Sequence, residues 1–143
     1  MEVRCYRVAA GEDPRAIRDS IARKSPGLLV QTVKSSAVGN SRLVEMLVEQ
    51  TQAATASGNL LARKRDVDLL LRLAGTTQIS AALNSVGASR GAPFVVILAG
   101  DEGEIEASEK SFLRGADRVK GRELHPSEFG RVERAALLNA ARA

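Results

Sequence analysis

Residues 63–87, RKRDVDLLLRLAGTTQISAALNSVG, decide how the rest of the chain is interpreted. Three basic residues lead into a dense aliphatic run that only Arg72 interrupts. Such a run covers more than one stripe of a helix, so we expect this helix to be buried on most sides. We predict that Asp66 caps its N-terminus and that Asp68 places negative charge near the positive end of the helix dipole. Gly75 then ends the helix, because glycine adopts the left-handed conformation at little cost.

A second, shorter helix follows and ends at Gly87. Its four apolar residues recur at i, i+3, i+4 and i+7, which places them on one face. The simplest interpretation is an αα-hairpin whose leucines belong to the core. The apolar residues of the second helix are Ile79, Ala82, Leu83 and Val86.

The same pair of helices is compatible with a helix-turn-helix, which would place residues 78–84 in the major groove of DNA. However, this segment offers only Gln78 and Asn84 as base-reading side chains, and it contains no Arg or Lys. A DNA-binding regulator therefore remains the alternative function. It would also require a dimer.

Residues 47–100 carry a set of features that belongs to a known family. They begin with a helix rich in alanine and polar residues, and they end with an apolar strand. The segment between them contains an arginine followed by a few mostly polar residues. It then has an acidic residue directly before aliphatic residues, and a short polar loop. The corresponding residues are Arg63, Asp68 before Leu69, Leu70 and Leu71, then Gln78, Ile79, Ser80, Ala82, Leu83 and Gly87, and the strand 94–98.

In this order and spacing the segment resembles the small, PRPK-binding subunit of the KEOPS complex of archaea and eukaryotes. Residues 132–143, VERAALLNAARA, also resemble that family's last helix. Asp68 stands where the family usually has glutamate. Its shorter side chain is expected to lose or move an interaction made at that position.

KEOPS makes the threonylcarbamoyl modification on the adenosine next to the anticodon of certain tRNAs. The resemblance implies a non-catalytic subunit, without a cofactor, that binds the N-terminal lobe of the complex's small kinase-like ATPase and supports its activity. It also implies that the subunit recruits tRNA by its 3′ CCA end and meets the other KEOPS subunits indirectly. The tRNA contact falls on Arg63 first, because Arg63 matches an arginine of the family, with Lys64, Arg65 and Arg72 as neighbours.

The kinase contact is our hypothesis for a patch on the second helix of the pair and on the C-terminal helix. A protein interface needs an apolar centre, which these side chains could supply. The residues of this patch are Ile79, Leu83, Val132 and Leu137.

The composition predicts one soluble globular domain over residues 1–143. The chain has 44% hydrophobic and 27% charged residues, which is ordinary for such a domain, and it is long enough to bury a core. Aromatic residues make up only 3%, which argues against base stacking on an aromatic sheet. The net charge of +4 permits an anionic partner. No apolar run of spanning length and no signal peptide are visible, so we expect a cytoplasmic protein without a membrane partner.

Catalytic and metal-binding patterns are not found. The chain lacks a nucleophile–base pair and a phosphate loop, so we expect no enzyme. The single cysteine, Cys5, excludes an internal disulfide and a cysteine-based zinc cluster. The single histidine, His125, precedes Pro126 at a helix start, and we expect it either to cap the helix or to face solvent. The acidic residues 102–109 are interpreted as an exposed helix flank rather than a metal site.

Hydrophobic patterns along the chain predict strands near residues 3–9, 28–33 and 94–99, separated by helices. The first helix, residues 14–24, carries Arg15, Arg18, Arg23 and Lys24 on a face that we expect to be solvated. Because two helices follow one another near residue 75, a clean alternation of strand and helix is broken. The sequence therefore predicts an α+β fold, namely a two-layer sandwich with a small mixed β-sheet and helices packed mainly on one face. The final helix, residues 127–143, is expected to bury Phe129, Val132, Ala136 and Leu137.

Overall fold

The computed structural model describes the backbone of residues 1–142 and the side chains of residues 1–140. Within this range no helix is both long enough and apolar enough to cross a membrane. The prediction of a helix end at Ala143 lies outside the described residues. The elements, in chain order, are β1 (Glu2–Val8), α1 (Pro14–Lys24), β2 (Leu29–Lys34), a 3₁₀ turn (Ser35–Ala37), α2 (Ser41–Ser57), α3 (Arg65–Ala74), α4 (Ile79–Val86), β3 (Phe94–Gly100), α5 (Glu102–Phe112), β4 (Asp117–Arg118) and α6 (Pro126–Arg142).

The four strands form one sheet in the order β2-β3-β1-β4, and every neighbouring pair is antiparallel. The α+β class is therefore confirmed, but the predicted mixed sheet is wrong. β1 and β2 run in the same direction, yet β3 lies between them and pairs with both. This is a split β-α-β arrangement, with α2, α3 and α4 inserted between β2 and β3.

The sheet carries helices on both faces, so the two-layer description is corrected to three layers. Among residues 1–142, α2, α3, α4 and α6 share one core with the β-strands, while α1 and α5 cover the other face. The prediction that most helices lie on one face is confirmed. Alternate residues of β3 enter the two cores, which explains its continuous apolar run.

The helix that opens the central stretch begins at Arg65, and Lys64 is its N-cap residue without a side-chain cap. The prediction that Asp66 is the cap is therefore wrong, because Asp66 already lies inside the first turn. Gly75 ends α3 at φ 73°, as predicted. The four leucines of α3 are buried in the core, which confirms the αα-hairpin interpretation for them.

The other predicted cap lies at the start of α6. Glu128 accepts a hydrogen bond from the backbone N–H of His125 at 2.9 Å. This contact, from the third residue of a helix back to its cap, is one half of a capping box. His125 thus lies at the helix start that the sequence predicted.

Candidate functional site

A buried ion pair on α3 connects the elements around the basic run, which we define as Arg63, Lys64 and Arg65. Arg72 Nε lies 2.7 Å from Asp68 Oδ1, and neither side chain is more than 1% exposed. Asp68 also accepts hydrogen bonds from Thr51 Oγ1 of α2 at 2.6 Å and from the backbone N–H of Leu61 at 2.9 Å. A buried carboxylate requires such donors to offset its loss of water.

Asp68 therefore fixes the loop that leads to the basic run, rather than acting at the surface of a helix end. Its three partners lie on α2, on α3 and in the loop between them. Asp68 also lies in the first turn of α3, so the prediction that it places negative charge near the helix N-terminus is confirmed. Although the side chain is shorter than the family's glutamate, both carboxylate oxygens of Asp68 accept hydrogen bonds inside this protein.

Arg72 extends the same network to α6. Its guanidinium donates to the carbonyl of Ala135 at 3.1 Å and to Asn139 Oδ1 at 2.9 Å. Asn139 in turn donates to the carbonyl of Asn59 at 2.6 Å. Because Arg72 is 2% exposed and its donors are used inside the protein, it cannot reach a phosphate from this position. The prediction that Arg72 is a neighbour in the tRNA site is wrong.

The basic run itself remains accessible. Arg63 and Lys64 are exposed, and Arg65 is half-buried. The run directly precedes α3, and no side chain caps the first turn of that helix. The free backbone N–H groups of a helix N-terminus favour anions, and here three cations stand beside them. The positions of Arg63, Lys64 and Arg65 are thus suited to an anionic ligand.

An open groove of about 640 Å³ lies beside the basic run. One wall is the basic run with the first residues of α3, the opposite wall is α1, and the floor is the start of β2, an edge strand of the sheet. Arg65 reaches the loop between α1 and β2, where its guanidinium donates a hydrogen bond to the carbonyl of Gly27 at 3.3 Å. The lining residues other than the basic run are Arg18, Asp19, Ala22, Pro26, Leu28, Leu29, Val30, Asp66 and Val67.

The groove has a positive balance of charge. Four basic side chains line it, against the two carboxylates of Asp19 and Asp66. Its floor is the backbone edge of β2, because the side chains of Leu28, Leu29 and Val30 are buried in the two cores. The cations on the walls can meet the phosphate groups of an anionic ligand.

A second surface lies on α4 and is apolar. Ile79 is 50% exposed and Leu83 is 54% exposed, while Ala82 and Val86 of the same helix face the core. The sequence has no charged residue between Arg72 and Arg90, so α4 itself carries no charge. We call Ile79 and Leu83 the α4 apolar face. Exposed leucine and isoleucine on an uncharged helix are typical of a protein contact.

The two α6 residues predicted for the same patch behave differently from each other. Val132 is half-buried and packs against the core, and its carbonyl accepts a hydrogen bond from Gln50. Leu137 is 66% exposed, whereas Ala135 and Leu138 point into the core. The predicted buried face of α6 is therefore displaced, since Phe129 and Leu137 are exposed. Val132 is therefore corrected from an interface residue to a half-buried residue that packs against the core.

The helix-turn-helix alternative would use α4 as the helix that reads DNA, and α4 has no basic surface. Gln78 and Asn84 are exposed, but the exposed side chains of α4 include no cation to meet a phosphate. The cations of this region lie before α3 instead. The geometry does not favour DNA as the ligand of α4.

The described side chains form no metal-binding cluster. No group of three or more His, Cys, Asp or Glu in the described part is placed to hold a metal ion. Cys5 is buried in β1, and its burial raises the pKa of the thiol to about 12, so it is protonated at neutral pH. The four glutamates near the start of the chain and on α5 surround Arg4 as ion-pair partners.

Comparisons with known proteins give no family assignment. A scan against protein-family models finds no match, and a search of curated proteins finds none of significance.

Two groove residues have no place in the sequence-based predictions of a site. The sequence assigns Arg18 to a solvated face of α1 and gives Asp19 no role, yet both line the groove opposite the basic run. The residues next to Arg18 and Asp19 in the sequence do not indicate this, because the groove forms only where α1 and α3 pack on β2 from opposite faces of the sheet. By contrast, the flanking leucines of Arg72 do indicate that it would be buried.

Proposed function

We propose that this chain is a non-catalytic KEOPS subunit that binds tRNA at its 3′ CCA end and binds the complex's kinase-like ATPase. The proposal rests on the resemblance of residues 47–100. The observation that carries it is the accessible basic run beside a groove of about 640 Å³ at the N-terminus of α3. Arg63, the residue carried over from the family, is exposed there.

The tRNA site of this proposal consists of Arg63, Lys64 and Arg65, without Arg72. Contacts to phosphate supply most of the affinity of such a site and make it dependent on salt. The Asp68 network supports the site from below, because it holds Leu61 and α3 in fixed positions. In this proposal the chain has a binding role, and the chemistry of the modification belongs to other subunits.

The kinase contact of the proposal is the α4 apolar face. Two exposed aliphatic side chains on an uncharged helix give the desolvated centre that a protein interface needs. Leu137 on α6 is exposed as well and can lie at the edge of the same contact. Other KEOPS subunits would be met indirectly, through the kinase. The compartment of such a complex is the cytoplasm.

The kinase contact is tested by co-elution of the purified chain with the kinase-like subunit on size exclusion. We expect Ile79→Arg to abolish co-elution, because a charge would be buried without a partner in the interface. Ser85→Arg is the matched control, since Ser85 is exposed on the other flank of α4. Retained co-elution of a folded Ile79→Arg variant would exclude the α4 apolar face.

The RNA contact is tested by charge reversal. Arg63→Glu should weaken tRNA binding by about tenfold at moderate salt, because it replaces an attraction to phosphate by a repulsion. Arg90→Glu makes the same change of charge in the loop before β3, near the opposite end of β2. Equal losses in the two variants would mean that only the overall charge matters, and would contradict a site at the basic run.

A further inference from the structure

Strand β1 has an open edge at its start. Alternate residues of an antiparallel strand direct their backbone N–H and C=O groups to opposite sides. The carbonyl of Cys5 accepts a hydrogen bond at 2.8 Å from the N–H of Val119, which directly follows β4. Val3, two residues earlier, therefore directs its N–H and C=O to the same side, beyond the residues that β4 pairs with. No other segment of the described backbone hydrogen-bonds to Val3 there.

The opposite edge of the sheet, on β2, is closed from Gln31 to Val33. The side chain of Gln31 donates to a backbone carbonyl of α3 at 2.8 Å and accepts from the N–H of Thr32 at 3.0 Å. Val33 forms a bridge with Gly87. Proteins usually block a strand edge in such ways, because a free edge can pair with another chain. The edge at Val3 keeps its N–H and C=O free, so it can accept an extended segment as a further strand.

Carboxylates lie on both faces of this open edge. On the face covered by α5, four glutamates lie within 3.6 Å of the single guanidinium of Arg4. On the other face, a groove of about 390 Å³ separates the start of β1 from α2, and its described lining includes no Lys or Arg. The carboxylates are those of Glu2, Glu102, Glu106 and Glu109 on the first face and of Glu45 and Glu49 on the second.

The cations nearest to this edge do not cancel its charge. Arg118 and Lys120 line a neighbouring groove at the end where β4 pairs. Arg42 forms an ion pair with Glu45 at 2.9 Å, but both side chains are more than a third exposed, so the pair contributes little. The edge around Val3 therefore has an excess of negative charge, although the whole chain has a net charge of +4. Charge complementarity favours a basic partner over RNA or the same edge of a second copy.

We propose that the β1 edge at Val3 binds an extended basic segment of a partner protein, which pairs with β1 as an added strand. The backbone of Val3 supplies the pairing, and the glutamates on both faces select lysine and arginine. Successive side chains of a strand point to opposite faces, so neighbouring basic residues of the segment reach both groups of carboxylates. The basic run lies beside β2, at the other side of the sheet, so this inference does not rest on the proposed function.

The test measures the binding of a labelled peptide of Lys-Lys-Val repeats to the purified chain by fluorescence anisotropy. The control peptide has proline in place of each valine, which keeps the charge but prevents regular strand pairing. We expect the chain to bind the control at least about tenfold more weakly, which is the effect of losing one or two hydrogen bonds. Equal affinities for the two peptides would show attraction by charge alone and would overturn the inference.

Substitutions in the chain locate the bound peptide. Val3→Pro removes the N–H at the open edge without removing a bond to β3, so we expect the sheet to form and the affinity to fall about tenfold. Glu49→Gln and Glu106→Gln should each weaken binding about twofold to fivefold, because both carboxylates are exposed. Glu133→Gln, on the exposed side of α6, is the matched control and should leave the affinity unchanged.

The inference is overturned if the parent chain does not bind the peptide, or if a folded Val3→Pro variant binds it like the parent. It is also overturned if Glu49→Gln and Glu106→Gln lose no more affinity than Glu133→Gln, and this comparison decides if circular dichroism shows an unfolded Val3→Pro variant. A parent chain that elutes as a dimer, and as a monomer in Val3→Pro, would make a second copy the occupant and overturn the basic partner. These results do not bear on the tRNA site, because the assay contains no RNA.

Discussion

Asp68 and Arg72 form a two-contact ion pair inside the protein, with Nε to Oδ1 at 2.7 Å and Nη2 to Oδ2 at 3.2 Å. The pair lies one turn apart on α3, and its remaining partners belong to α2, α6 and the loop before the basic run. The backbone before and after the basic run is therefore held by a buried ion pair that does not itself face the proposed tRNA site.

Removing the carboxylate should strongly destabilise the fold. Asp68→Ala leaves Arg72 buried without its counter-charge, and we expect a loss of about 3–5 kcal/mol in the free energy of unfolding. Thr51→Val removes one hydrogen bond to Asp68 and should cost about 1–3 kcal/mol. Urea denaturation measures both, with Asp66→Ala on the half-buried first turn of α3 as the control. An Asp68→Ala protein as stable as the control would show that the pair is unimportant.

A side chain at position 87 should clash with its surroundings, although the backbone conformation there is unstrained. Its φ of −63° is available to any residue, but an added Cβ would press against the carbonyl oxygen of Leu83 in the last turn of α4. We expect Gly87→Ala to lower the free energy of unfolding by about 1–3 kcal/mol, the usual cost of forced overpacking. Gly39→Ala has open space around its Cβ and should be nearly neutral. Thermal unfolding of the two variants compares them directly, and similar melting temperatures would contradict the clash.

The carboxylate of Glu128 should make the free energy of unfolding depend on pH. The backbone N–H of His125, followed by the guanidinium of Arg122, holds the pKa of Glu128 below its ordinary value. Because the pKa of Glu128 is lower in the folded state, its charge stabilises the fold at a pH above the unfolded-state pKa of about 4.3. This stabilisation is lost as the pH falls through the lower pKa of the folded state. Glu128→Gln should thus be less stable than the parent at neutral pH, with a difference that shrinks in acid. Glu133→Gln, exposed on the same helix, is the control. A difference that does not change with pH would show that the charge of Glu128 is not involved.

Cys5 should be unreactive in the folded protein. The thiol is buried in the middle of the sheet, and a pKa of about 12 leaves almost no thiolate in mildly alkaline buffer. We expect modification by an aromatic disulfide reagent to follow the rate of unfolding and to become rapid only in denaturant. Complete modification within seconds under native conditions would mean that β1 opens easily.

The fold is predictable where a pattern is local. The apolar run of β3 indicates a central strand, and Gly75 indicates a helix end, because each depends on a few neighbouring residues. The antiparallel sheet is not predictable in the same way. Whether β3 pairs between β1 and β2 depends on where the inserted helices α2 to α4 return the chain, and hydrophobic spacing carries no information about that return.

The candidate site is likewise predictable only where it depends on neighbouring residues. The basic run is visible as three adjacent letters, and Arg63 and Lys64 are exposed. Arg72 is misplaced when its charge is considered apart from its leucine neighbours, because Asp68 four residues earlier is its actual partner. Arg18 and the basic run line one groove only because α1 and α3 both pack on β2, from opposite faces of the sheet, and no local pattern encodes this.

The C-terminal helix shows the same limit of local patterns. Its apolar residues spread around the helix, so spacing alone does not distinguish Leu138, which is buried, from Leu137, which is exposed. The distinction depends on how α6 lies against α2 and α3, where Arg72 and Gln50 hold its backbone carbonyls. These polar contacts join residues that are far apart in the chain.

The most direct test of the proposed function is the binding of the purified chain to one tRNA in two forms, intact and with the CCA end trimmed, at two salt concentrations. We predict tighter binding to the intact tRNA than to the trimmed one, and a smaller difference between the two forms in Arg63→Glu. Equal binding to both forms with a strong dependence on salt would reduce the basic run to a general polyanion patch. The absence of binding to either form would contradict the tRNA site altogether.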